Sequence, residues 1–115
     1  LNRGELLLLD IEKMAHEVGL DRDEYLEVLE VYCEATSEKL EAARKALSAG
    51  DAEELAKTAH SVKGASGNLG LMDIYEKVEA LEVAAMEGEI LQAEDLLASV
   101  ASTFEQVKAA LLSLL

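Results

Sequence analysis

Proline is missing from all 115 residues of this chain, and aromatic residues make up only 3% of it. No proline ring therefore breaks a helix, and the rings that favour strands are scarce. The single cysteine, Cys33, excludes an internal disulfide and suits a reducing cytoplasm, which is the expected location. Unbroken apolar runs such as Leu6 to Leu9 are far too short to span a bilayer, and no secretory leader pattern is visible. Basic residues are few: ten Lys and Arg stand against 24 Asp and Glu, for a formal charge of -14. That balance argues against nucleic acid and anionic membrane surfaces as partners, since both favour basic faces.

What is present is Leu, Ala, Glu and Val in helical rhythm. The length fits one domain spanning residues 1–115. The first residue is Leu rather than Met, which favours a piece excised from a longer protein. A first helix is expected over about 4–18, with Leu7, Ile11, Met14 and Val18 as its apolar stripe and Gly19 as its stop. Asp21 and Glu24 have capping-box spacing and open a helix over 22–48. Its packing seam is Leu26, Leu29, Cys33, Thr36, Leu40, Ala43 and Leu47, which makes Cys33 a structural residue. Asp51 and Glu54 repeat the signal and open a third helix over 52–68. A fourth helix over 71–86 steps through Leu71, Ile74, Val78, Leu81 and Ala85, and Gly88 stops it. The fifth, over 90–114, carries Leu97, Val100, Phe104, Val107, Leu111 and Leu114. Short connections favour antiparallel neighbours. The expected fold is all-α: an up-down-up-down four-helix bundle of the last four helices, with the first packed at one end.

One stretch of the third helix holds residues that a helix does not need for stability. From Leu55 to Gly70 there are two lysines, one histidine and no acid. Ala52, Leu55, Ala56, Ala59, Val62, Ser66 and Leu69 define a buried arc, and His60 points about 130° from its centre. Lys57, Lys63, Gly64 and Gly67 lie within a turn or two of His60. Two glycines on an exposed helical face each cost about 1 kcal/mol relative to alanine. Clearance for an approaching partner at Gly64 and Gly67 would offset that cost. A solvent-facing imidazole is a competent nucleophile, and a phosphoryl group placed on it would bring close to two negative charges. Lys57 and Lys63 stand where charge-assisted hydrogen bonds could hold such a group. His16, on the first helix, lacks any such surroundings and reads as a surface or boundary residue.

His60-Ser61-Val62-Lys63-Gly64-Ala65-Ser66-Gly67-Asn68-Leu69-Gly70 closely resembles the signature of histidine-containing phosphotransfer (HPt) domains of two-component signalling. That pattern is His, any residue, an aliphatic, Lys, Gly, two small residues, then an aliphatic before a final Gly. The helix plan resembles the family over nearly the whole chain. The resemblance implies that His60 takes a phosphoryl group at its distal ring nitrogen from a receiver-domain aspartate, or from a kinase domain, and passes it to another receiver. It also implies Lys63 near the phosphate and room for the partner at Gly64. The family commonly places Gln or Glu on the next helix to accept a hydrogen bond from the other ring nitrogen. The matching position here is Glu82, with Glu79 one turn earlier as a weaker substitute.

The implied partners are response-regulator receivers and sensor histidine kinases, with the domain itself a monomer. No cofactor or metal is expected, and neither a nucleotide-binding glycine loop nor a Mg²⁺-binding acidic cluster is apparent. The domain would thus be a phosphoryl carrier and not an enzyme by itself, whether free-standing or part of a larger histidine kinase. Two other readings compete. A di-iron bundle would need Glu-x-x-His pairs projecting inward, but both histidines have Lys three residues before them. An adaptor bundle would bind receivers through the His60 surface without phosphotransfer.

Overall fold

The computed structural model describes residues 3–115, with side chains described from Asp10 onward. Among these residues the chain forms five helices and no strand: α1 (Arg3–Glu17), α2 (Arg22–Ser48), α3 (Ala52–Asn68), α4 (Met72–Met86) and α5 (Ile90–Leu114). Residues 49–51, 69–71 and 87–89 make the connections from α2 to α5. Linkers this short turn each helix back along its predecessor. α2 packs on α3, α3 on α4, α4 on α5, and α5 on α2, closing the ring, while α1 packs against α5 and α2. The expected bundle with an added N-terminal helix is the architecture found. Leu7, expected in the α1 stripe, lies outside the described side chains.

The ends of the helices follow from local chemistry. At α2, the Glu24 amide donates to Asp21 Oδ1 at 2.8 Å and the Asp21 amide donates to Glu24 Oε1 at 3.1 Å, a reciprocal capping box. At α3 the Glu54 amide donates to Asp51 Oδ1 at 3.1 Å. The turn that matters most joins α3 to α4. Gly70 has φ of +71°, a left-handed conformation that costs glycine nothing. That conformation lets the amides of Gly70 and Leu71 reach back to the carbonyls of Gly67 and Ser66 at 3.1 and 3.0 Å. α4 therefore begins directly beside the end of α3.

The core is aliphatic, and Leu55, Val62, Ile74, Val78 and Leu81 are at most 1% exposed. Burying each such side chain contributes roughly 1.5–3 kcal/mol, so α3 and α4 are held by their inner faces and their outer faces are free for other work. The stepping places Ile74, Val78, Leu81 and Ala85 of α4 in the core together with Leu71, which caps the helix one residue before its start, and all five are buried. On α2, Tyr25, Tyr32 and Ala46 are buried as well, beyond the expected seam. Both tyrosines are anchored. Tyr25 Oη donates to the Leu69 carbonyl at 2.8 Å. Ser66 Oγ donates to the Val62 carbonyl at 2.7 Å, so its one proton is committed and Tyr32 Oη donates to it at 2.8 Å. The Tyr32 ring meets Phe104 edge-on, with centroids 6.2 Å apart. Among the described residues, no buried side-chain nitrogen or oxygen lacks a partner.

Candidate functional site

α3 turns its buried arc inward and leaves His60 outside, with its side chain 70% exposed. The α4 helix runs back beside it in a register that two pairs define. His60 meets Glu82; seven residues further along α3, Gly67 meets Tyr75, seven residues back along α4. Seven residues are close to two helical turns, so both pairs lie on one antiparallel seam.

Glu82 is the hub of the site. Its Oε2 lies 2.7 Å from His60 Nδ1, and its Oε1 accepts from Lys63 Nζ at 2.7 Å. The Glu82 side chain is 14% exposed, against 21% for Lys63. Burial alone would push its carboxyl up. The hydrogen bonds from Lys63 and His60, with the charge of Lys63, outweigh burial and hold it below the usual carboxylate range. The hydrogen bond to Glu82 in turn raises Lys63 against the opposing effect of burial, aided by the charges of Glu82 and Glu79. An ionised carboxylate only accepts, so His60 Nδ1 carries the proton. In the neutral ring Nε2 then keeps its lone pair, and among the described residues it has no hydrogen-bond partner. This is an imidazole with one nitrogen tied down and the other presented to solvent.

The remaining expected residues fall into place unevenly. Lys57 is exposed, and its Nζ lies 3.8 Å from Glu53 Oε1. It lines, with His60 and Glu82, a shallow depression bounded by Ala52, Ala56, Ala85 and Met86. A β-carbon on Gly64 would meet nothing within 4 Å, so the expected clearance exists there. At Gly67 it does not: a β-carbon would come within 3.1 Å of Tyr75 Cδ2 and 3.2 Å of Cε2. The close approach that Gly67 permits is made by the protein's own Tyr75. His16 is exposed and far from this arrangement in the chain. Cys33 is buried, and burial pushes its thiol up to about 11, with the Lys108 charge opposing and Glu105 adding to the shift.

Sequence reasoning missed two neighbours of the site. Tyr75 could have been found by extending the His60–Glu82 register along the seam. Lys39 of α2, whose Nζ donates to Ser61 Oγ at 2.6 Å, could not, because the offset between α2 and α3 is a tertiary quantity. Among the described residues, no group of three or more His, Cys, Asp or Glu could hold a metal ion. Nor is any helix among them long and apolar enough to cross a membrane.

A helical bundle that offers one exposed histidine beside a Lys-Gly pair defines a class of protein. The chain belongs to the Hpt domain family, whose model matches residues 27–111. It is a phosphoryl carrier of the phosphorelay type, of the kind that interacts with receivers or kinases. Its structure is similar to histidine-containing phosphotransfer protein B (HptB) from Pseudomonas aeruginosa PAO1. The identity is 29%, over 95% of this chain and 90% of that one, with a TM-score of 0.76. Among curated proteins, none matches the chain.

Proposed function

We propose that His60 is the phosphorylated residue, taking a phosphoryl group from the aspartyl phosphate of a receiver domain and returning it to another. The observation that carries this reading is the Glu82 carboxylate 2.7 Å from His60 Nδ1. In the forward step the Nε2 lone pair attacks phosphorus. The N–P bond forms, and the P–O bond to the aspartate breaks, its electron pair leaving with the carboxylate. The ring becomes cationic at that moment, with Nδ1–H still donating to Glu82. A carboxylate fixed at Nδ1 both sets the tautomer and stabilises the developing imidazolium.

Lys63 is the cation placed to answer the incoming charge. Its ammonium has three donors, one of them on Glu82, which leaves two for phosphoryl oxygens. Lys57 adds a second positive charge from the turn before, and Gly64 leaves the approach open. The receiver supplies the aspartate and its own metal-dependent stabilisation of the transition state; this domain supplies nucleophile, leaving group and docking face. A kinase domain is the other donor this chemistry accommodates.

The test is incubation with a phosphorylated receiver domain. Wild type should acquire a label that is labile to acid and stable to alkali, as N–P bonds are. His60→Gln should stay unlabelled with unchanged helicity, since the ring faces solvent. Equal labelling of the two proteins would place the phosphate on another residue and end the proposal.

A further inference from the structure

Three lysines lie on or against the stretch of α3 that carries His60, in a chain of net charge -14, and they are not equivalent. Lys63 is committed to Glu82 at 2.7 Å and Lys57 lies 3.8 Å from Glu53. Lys39, on the opposite flank, reaches across from α2 to the Ser61 hydroxyl at 2.6 Å. Among the described residues, no carboxylate lies within ion-pair distance of Lys39, so this neutral partner positions its charge without cancelling it. Ser61 is the residue next to His60 and is exposed, while Lys39 is half-buried against the bundle. A long side chain stretched over apolar surface is held more firmly than one free in water. Lys39 also stands in the groove between α2 and α3 formed by Val28, Val31, Ala35, Ala65 and Asn68.

We infer that Lys39 is a docking residue for the acidic rim of the receiver's phosphorylation pocket. The inference rests on the phosphotransfer reading above. A pocket that presents an aspartate and binds a divalent metal is ringed by negative charge, whereas most of this chain is acidic too and repels it. A fixed cation beside the nucleophile turns that repulsion into a local attraction and orients the approach. Footprints of standard interfaces reach about 800 Å² per partner, so a body seated on His60 covers the neighbouring Ser61–Lys39 pair. Lys39 makes no contact with the ring among the described hydrogen bonds; its effect belongs to encounter and seating.

The experiment compares two phosphoryl donors on the same proteins: a receiver domain pre-phosphorylated with acetyl phosphate, and phosphoramidate, which is too small to need a docking face. Lys39→Ala should raise the KM for the phosphorylated receiver about threefold at low salt, the scale of one exposed charge. Lys39→Glu should raise it further, about tenfold, and added salt should narrow both gaps. Labelling by phosphoramidate should not follow that trend, and Lys13→Ala on α1 should match wild type with both donors. An unchanged receiver KM in Lys39→Ala, with wild type labelled normally, overturns this inference alone. A parallel fall with both donors overturns it as well, because Lys39 would then act on the ring or the fold. A wild-type chain that no receiver labels removes the phosphotransfer reading itself and this inference with it.

Discussion

Gly67 of α3 and Tyr75 of α4 are matched in size: the tyrosine ring occupies the space that a side chain at position 67 would fill. Gly64, one turn earlier, has nothing opposite it. Two glycines that look alike in sequence therefore do different work, one admitting an internal ring and the other leaving the outer surface bare.

Gly64→Ala should stabilise the bundle by up to about 1 kcal/mol, the usual helical preference for alanine. It should also slow transfer from a phosphorylated receiver, because the added methyl stands on the face beside His60. Gly67→Ala should stabilise less than Gly64→Ala, because the Tyr75 ring must shift to admit the new carbon. Urea unfolding of both variants, beside a transfer assay, checks the pair. A Gly67→Ala variant as stable as Gly64→Ala would contradict the packing described.

Tyr25→Phe should cost about 1–2 kcal/mol, since it strips the Leu69 carbonyl of a buried donor at the end of α3. Tyr32→Phe should cost a similar amount through Ser66 Oγ, which keeps its bond to Val62 but loses the phenol. Both variants should keep the capacity for phosphorylation at His60. Losses below about 0.5 kcal/mol in denaturant titrations would mean that the Leu69 carbonyl and the Ser66 hydroxyl find water once the phenol is gone.

The Glu82–Lys63 pair makes a prediction about pH. Glu82 is held below the usual carboxylate range, so its stabilising contribution is present above its unfolded value and lost as pH falls through the folded one. Lys63 is raised, so its contribution is present below the unfolded lysine value and lost as pH rises through the folded one. The stability difference between wild type and Glu82→Gln should therefore shrink in acid as Glu82 is protonated. Carboxyl titration by NMR should find Glu82 among the lowest of the glutamates. A Glu82 that titrates at or above the ordinary glutamate value would break the arrangement around His60 Nδ1.

Cys33 should resist thiol reagents at neutral pH, because it is buried and its thiol is pushed up to about 11. Labelling should become rapid only in denaturant. Fast modification of the folded protein would show that α2 opens around this position.

Much of the fold was legible because helical periodicity records burial directly. On α4 the stepping residues Ile74, Val78 and Leu81 are each 1% exposed. Asp21 and Glu24 announced the start of α2, and the capping bonds are there. Tyr25 and Tyr32 escaped because a tyrosine's place depends on whether its hydroxyl finds a partner, and Ser66 on α3 and Leu69 just beyond its end are distant in the chain. Thr58 escaped similarly: its hydroxyl is satisfied by the Glu54 carbonyl one turn back, which lets a polar residue be buried. At the site, His60, Lys63 and Glu82 could be named from spacing and family pattern. That one carboxylate bridges the other two, and that Tyr75 fills Gly67, are facts of interhelical register that no single stretch of sequence encodes.

In the proposed transfer Glu82 holds the proton on His60 Nδ1 and leaves Nε2 as the nucleophile. The most direct measurement is NMR of the phosphorylated, ¹⁵N-labelled domain, reading which ring nitrogen couples to phosphorus. Phosphorus is expected on Nε2 of His60, with Nδ1 still protonated. Phosphorus on Nδ1, or on any other residue, would contradict it.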